Sequence, residues 1–358
     1  MSDLPVREVA EDDVVDDHRQ VLLLAVNPKR ADDGARFILD APDSPPPIWG
    51  SGEQIAWAKG EALLLCGPDG VGKTTLAQQI VRARLGIGDP TLLGLTIEPS
   101  ARRVLYVAAD RPSQAQRSMA RMFSEADRAT LGERLVVWRG PLPHDLAKAP
   151  DFLAVIAELY DADTVVLDSL KDAAMDLSKD ETGSRLNQSI QTALAEGIEV
   201  LGLHHQRKAQ AGAGAPRALA DVYGSRWLTA GAGSVLMLWG EPGDSVVELR
   251  HLKQPLEDIG PLQIHHDHHA GVSQVLDHVS VYEVVQRATN GATAGAVAIT
   301  FYGKPDPGKN EIEKVRRQLE RLVREGQLHR REPVKGGRGG SDPATYYPVL
   351  HAVVEACQ

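Results

Sequence analysis

Cysteine is nearly missing from this chain. Of 358 residues only Cys66, inside an apolar run, and Cys357, beside the C-terminus, carry a thiol. A disulfide framework and a cysteine-built zinc site are therefore both excluded. Long apolar runs are missing as well. None approaches the ~20 residues of a membrane-spanning helix, so no membrane partner is expected. The N-terminus, from Met1 to Glu8, has no basic stretch followed by an apolar core and does not read as a signal peptide. A reducing cytoplasm is the expected location. Aromatic residues are few, 4%, which leaves aliphatic side chains to build the core. Positive charge is in deficit, with 39 Lys and Arg against 49 Asp and Glu and a net charge of −10, which at first argues against a nucleic-acid binder. The distribution reverses that argument. The first 45 residues are acidic (Glu11-Asp12-Asp13, Asp16-Asp17, Asp32-Asp33), whereas 304–340 is basic (Lys304, Lys309, Lys314, Arg316, Arg317, Arg321, Arg324, Arg330, Arg331, Lys335, Arg338).

The most informative stretch present is Ala62–Leu76. A strand-like apolar run ends at Gly67, a loop follows through Pro68, Asp69, Gly70, Val71 and Gly72, and a helical pattern opens with Lys73, Thr74 and Thr75. This is the complete G-x-x-x-x-G-K-[ST] phosphate loop, with a strand before it and a helix after it. Gly67, Gly70 and Gly72 let backbone N–H groups turn inward toward phosphate oxygens. The helix N-terminus adds its positive end. Lys73 supplies a charge for the β- and γ-phosphates, and the Thr74 hydroxyl suits Mg²⁺. The expected ligands are ATP and Mg²⁺.

The chain is too long for one ordinary domain. Residues 1–45 read as an acidic arm, either packed on a neighbouring subunit or solvated, with one short apolar element at Gln20–Val26. From 46 to 277 the pattern is α/β. Strand-like runs recur at Leu63–Cys66, Val104–Ala109, Leu135–Trp138, Thr164–Leu167, Val200–Leu203 and Ser234–Trp239. A helix over Asp151–Tyr160 is expected to bury Phe152, Val155, Ile156 and Leu159. Near-continuous apolar strands alternating with helices predict a mostly parallel sheet covered on both faces. Val246–Leu252 and Gln263–His266 read as antiparallel additions at its edge. From 278 to 358 a smaller unit follows, with helices around Val281–Val285, Thr293–Phe301 and Asn310–Glu325. Gly326 stops the third helix. A hairpin then has the basic tip Lys335-Gly336-Gly337-Arg338-Gly339-Gly340. Three helices and a hairpin make a winged-helix plan, in which the third helix enters a DNA groove and the wing touches phosphate, with Arg317, Arg321 and Arg338 as contact candidates. The same plan also serves as a protein-contact module.

Phosphoryl transfer needs a second acid to position Mg²⁺, and Asp168 at the end of Thr164-Val165-Val166-Leu167 supplies one. Asp110, after Val104–Ala109, is the candidate for orienting the attacking water, although the adjacent Arg111 could equally make it an ion-pair partner. The strand ending Leu203-His204-His205 offers two candidates for sensing the γ-phosphate, which the sequence does not separate. The Gly/Ala-rich stretch after it, Ala209–Ala220, suits contact with nucleic acid, with Lys208, Arg217 or Arg226 as candidate donors to a neighbouring subunit's nucleotide, and reads equally as a surface loop with ordinary solubilising charges. The cluster His265-His266-Asp267-His268-His269 has no partner cluster at ligand spacing and reads as a hairpin turn that needs no metal.

The phosphate loop, the strands ending Ala108-Ala109-Asp110 and Val165-Val166-Leu167-Asp168-Ser169, and Leu203-His204-His205-x-x-Lys208 followed by Tyr223-Gly224-Ser225 resemble the RecA-fold ATPases. They are most similar to the RepA-type hexameric helicases, the AAA_25 family, over 48–239. That resemblance implies a RecA-like P-loop core in which Lys73 and Thr74 bind nucleotide and Mg²⁺, Asp168 is the second acid, and His204 or His205 senses the γ-phosphate. It implies nucleotide at subunit interfaces of a homo-oligomeric ring, a hexamer, or a filament. Asp110 stands where the family usually has a catalytic Glu, and Arg226 is the nearest match to its arginine finger. The expected activity is that of a DNA-dependent ATPase, helicase-like, in replication or recombination. The alternatives are a RecA-like recombinase and a DNA-bound ATP switch, a regulator or helicase-loading adaptor, that hydrolyses little.

Overall fold

The computed structural model describes residues 31–205, 218–222, 224–267, 269–276, 281–288, 290–302, 305–331 and 343–349. The expected element at Gln20–Val26, the candidates Lys208, Arg217 and Arg338, and Cys357 lie outside them. The chain divides into two compact units, Met1–Gly260 with His265–Gln274, and Pro261–Ile264 with Val275–Gln358.

The first unit opens with helix α1 (Gly34–Leu39), whose N-cap Asp33 accepts the Ala35 amide at 2.9 Å. Strands β1 (Pro47–Ser51), β2 (Gln54–Ala58), β3 (Leu63–Gly67), β4 (Thr91–Leu92), β5 (Leu95–Ile97), β6 (Arg103–Ala108), β7 (Leu135–Arg139), β8 (Ala162–Asp168), β9 (Glu199–His205), β10 (Ser234–Trp239), β11 (Val246–Lys253), β12 (Leu262–Asp267) and β13 (Val272–Val275) follow, residues 262–264 of β12 and Val275 of β13 falling to the second unit. Helices α2 (Lys73–Arg84), α3 (Pro112–Met119), α4 (Arg128–Arg134), α5 (Phe152–Leu159), α6 (Leu170–Ala173), α7 (Asp180–Ala195) and α8 (Arg226–Gly231) are interleaved with them. The main sheet has the order β13-β12-β11-β10-β3-β9-β8-β6-β7, and every neighbouring pair from β10 to β7 is parallel. This is the mostly parallel α/β sheet that the apolar runs predict, in keeping with the RecA-like core that the resemblance implies. All five residues of β3 are buried, as a strand covered on both faces requires.

A parallel sheet aligns the C-terminal ends of its strands at one edge, where α/β proteins build their sites. Register fixes which tips face each other: Gly67 pairs with His205, and Ala108 with Asp168. At the other end of α2, buried Arg84 donates to the Glu98 carbonyl at 2.6 Å and to Thr164 Oγ1 at 2.7 Å. The helix that starts at the phosphate loop is thereby tied to the base of β8, the strand whose tip carries Asp168.

Several features depart from the sequence reading. Helix α1 lies in the stretch where only Gln20–Val26 reads as an element, and β13 has no counterpart in it. A second sheet, β2-β1-β5-β4, lies outside the main one. It is closed around buried Trp49, whose indole donates to the Leu92 carbonyl at 3.1 Å. The expected face of α5 is also corrected. Leu153, Ala154, Ile156 and Ala157 are buried, while Val155 and Leu159 are exposed at 54% and 73%. The run Phe-Leu-Ala-Val-Ile-Ala-Glu-Leu is apolar almost all round, so its periodicity does not mark the inner face.

The second unit has helices α9 (Val281–Arg287), α10 (Ala294–Tyr302) and α11 (Lys309–Arg324) and the sheet β14 (Ala292–Thr293), β16 (Thr345–Pro348), β15 (Leu328–Arg331), antiparallel throughout. Val285, Val297, Val315, Leu319, Leu328 and Tyr346 form its core. Tyr346 donates to Glu320 at 2.7 Å, and burial pushes its phenol up to about 12.

Candidate nucleotide-binding site

The site begins where β3 turns into α2. A side chain at Gly67 would meet the Leu238 carbonyl of β10 at 2.4 Å, so only glycine lets the loop leave the sheet here. Lys73, the first residue of α2, is buried and donates from Nζ to the carbonyls of Gly67 at 2.9 Å and Pro68 at 2.6 Å. Burial holds its ammonium below the ordinary lysine value, with Asp69 the main opposing influence. The cation thus lies folded onto the loop's own acceptors, which phosphate oxygens would replace.

Thr74, one residue on, donates from its hydroxyl to Asp168 Oδ2 at 3.2 Å. Tyr106 of β6, fully buried, donates to the same oxygen at 2.6 Å. Burial raises the Asp168 carboxyl above the ordinary range, and the Tyr106 and Thr74 hydrogen bonds oppose that rise. One hydroxyl and one carboxylate side by side, in a pocket that disfavours bare negative charge, fit a hard cation that keeps most of its waters. Thr74 and Asp168 are therefore the residues able to hold Mg²⁺.

These groups open onto a cavity of about 370 Å³ that Lys73, Thr74, Asp110, Asp168, Lys171 and His205 all line. Gly70, Gly72 and Thr75 line it too. Asp110 lies two residues beyond β6, half-exposed, with Oδ2 at 3.1 Å from Lys171 Nζ and 3.6 Å from Arg111 Nε. Alternation along β9 separates the two histidines. His205 turns to the cavity, with Nδ1 at 3.0 Å from Asp69 Oδ1, and burial together with Lys73 holds its imidazole below the ordinary value, hence neutral near pH 7. His204 is fully buried, and a side chain at Gly224 would come within 3.6 Å of its Nε2.

The structure brings together Lys73, Thr74, Thr75, Asp110, Asp168 and His205. It does not bring His204 or Arg226 to this cavity: Arg226 is exposed at the start of α8, where Ser225 caps the helix by accepting the Trp227 amide at 3.2 Å. Arg317 and Arg321 belong to α11 in the second unit. Two site residues escaped the sequence reading. Tyr106 is a lone phenol in an aliphatic strand beside the acid-ended one, and Lys171 follows Asp168 by three residues; each signal is visible only once the strand order is known.

The family model AAA_25, described as an AAA domain, matches residues 27–211. Among solved structures, the crystal structure of a KaiC-like protein from the hyperthermophilic archaeon Pyrococcus horikoshii OT3 is similar with a TM-score of 0.42 and 16% identity, over 62% of this chain and 91% of that one. No protein of curated function matches in sequence.

Proposed function

The chain belongs to the AAA_25 family of AAA domains, and from that premise we propose that it hydrolyses ATP with Mg²⁺ at the Lys73–Asp168 cavity and couples turnover to DNA, as a helicase-like motor does. The observation that carries this reading is the convergence of a complete phosphate loop, a Thr74–Asp168 pair and a further acid, Asp110, on one cavity. In it, Lys73 moves from the Gly67 and Pro68 carbonyls to the β- and γ-phosphates, and Thr74 and Asp168 hold Mg²⁺, which supplies charge neutralisation at the phosphates. Tyr106 fixes the Asp168 carboxylate. Asp110 orients the attacking water, and His205 senses the γ-phosphate through Asp69 of the loop.

The DNA half of the proposal rests on the second unit. Its three helices and antiparallel sheet are compatible with a winged helix, and α11 exposes Arg317 and Arg324. Nucleotide at the interface of a ring or filament of copies completes the reading, with Arg226, Lys208 or Arg217 reaching a neighbour's site. The test is Mg²⁺-dependent ATP turnover. Lys73→Ala is expected to lower it about 100-fold or more, as loss of a group that stabilises transition-state charge does; equal turnover in the variant sinks the assignment.

One observation favours a second reading, a DNA-bound ATP switch. Asp110 is shorter than a glutamate and is engaged by both Lys171 and Arg111, which would leave it poor at orienting water. Tight nucleotide binding with negligible turnover, indifferent to DNA, is its signature.

A further inference from the structure

The β12 strand carries two adjacent histidines, His265 and His266, just before its last residue, and one of them turns into the molecule. His266 is 2% exposed. Its Nδ1 lies 2.8 Å from Ser273 Oγ on β13. That hydroxyl accepts from Gln79 Nε2 at 2.7 Å, and the Ser273 amide donates to Gln79 Oε1 at 2.9 Å. Gln79 stands on α2, the helix that Lys73 begins.

The His266 ring rests against Gly72. A Cβ built on Gly72 would lie 2.4 Å from His266 Nε2 and 2.6 Å from Cε1. Gly72 has φ +90°, in the left-handed region, so the ring takes the space a side chain would fill at the last loop residue before Lys73. The backing extends along the loop. The His266 amide donates to the Ser245 carbonyl at 2.7 Å, and the Gly243 amide, in the turn just before Ser245, donates to the Gly70 carbonyl at 3.2 Å.

A glycine-rich loop has little stiffness of its own, and whatever freedom it keeps must be removed when phosphate binds. An outside ring that blocks motion at Gly72 removes it in advance. We propose that His266 is a positioning residue for the phosphate loop: its ring, oriented by Ser273 and through Ser273 anchored to Gln79 of the same helix, holds Gly72 in the conformation that receives the phosphates. His266 does not line the cavity and touches no reacting group; it acts through Gly72. The inference rests on the nucleotide reading of the site above.

Binding of N-methylanthraniloyl-ADP to the full chain tests it. His266→Ala is expected to weaken binding about tenfold, mostly through faster release, the equivalent of one immobilised group. His266→Phe keeps a ring against Gly72 and is expected to stay within about threefold of the unmodified chain. Ser273→Ala costs about threefold alone but adds nothing to His266→Ala, because the serine acts through the ring. A generally loosened fold would not give that non-additivity or the rescue by phenylalanine. If His266→Ala fails to fold, Ser273→Ala with and without His266→Phe carries the same comparison. Unmodified chain that binds while every variant binds equally well overturns the inference. Unmodified chain that does not bind nucleotide overturns the underlying reading instead.

Discussion

Asp168 holds a carboxyl group where burial opposes its charge and two hydroxyls favour it. Its raised value has a direct consequence for stability. Protonated Asp168 contributes stability below the ordinary carboxylate range, and that contribution is lost as pH rises through the raised value. Without nucleotide or metal, thermal melts of Asp168→Asn should therefore gain on the unmodified protein as pH climbs from that range to neutrality; parallel curves would refute the account of the pocket. Tyr106 acts in the opposite sense, since its hydrogen bond lowers the Asp168 value. In the same metal-free melts, Tyr106→Phe should therefore carry the loss of that contribution to higher pH. An unshifted pH dependence would mean that Asp168 is not the titrating group. None of this was legible in the sequence beyond the position of Asp168 itself. Tyr106 reaches it across neighbouring strands, and such a contact leaves no trace in spacing. His204 and His205 likewise stayed interchangeable until register placed Gly67 beside His205.

At the scale of elements, main-sheet strands β3 and β6 to β10 are legible because buried parallel strands are written as short apolar runs, and β11 and β12 because they follow as consecutive strand-like runs. The small sheet is not. Its strands β4 and β5 are two and three residues long, too short for a period to register, and β1 depends on Trp49, whose partner Leu92 lies elsewhere in the chain. The apolar pattern predicts helix α5 but not its inner face, and the difference can be measured. Ile156→Ala should cost about 2–4 kcal/mol in denaturant unfolding, as a buried truncation does. Leu159→Ala, on the exposed side, should change stability by less than about 0.5 kcal/mol; equal costs would restore the original face. Ser225, the cap of α8, also donates to Asp180 at 2.6 Å. Ser225→Ala should lower stability by about 1–2 kcal/mol, read in the same unfolding experiment.

Over the whole molecule, the charge asymmetry that suggested a DNA partner is moderated by ion pairing. In α11 and β15, Arg316 pairs with Glu313 at 2.7 Å, Arg321 with Glu325 at 3.8 Å and Arg330 with Glu320 at 3.3 Å. Exposed pairs of this kind contribute little to stability, but they reduce the net positive field the helix presents. Arg317 is exposed on the same helix. Arg317→Ala should weaken DNA binding by a similar factor for all sequences and reduce the salt slope by about one; unchanged salt dependence would remove α11 from the DNA surface. The proposal that joins both units is coupling of ATP turnover to DNA, and one measurement addresses it most directly: steady-state ATP hydrolysis with and without single-stranded DNA, beside Lys73→Ala and Asp110→Ala. Turnover is expected to rise with DNA in the unmodified chain and to collapse in both variants. Tight nucleotide binding with a negligible rate that DNA does not alter would contradict it and leave the switch reading in its place.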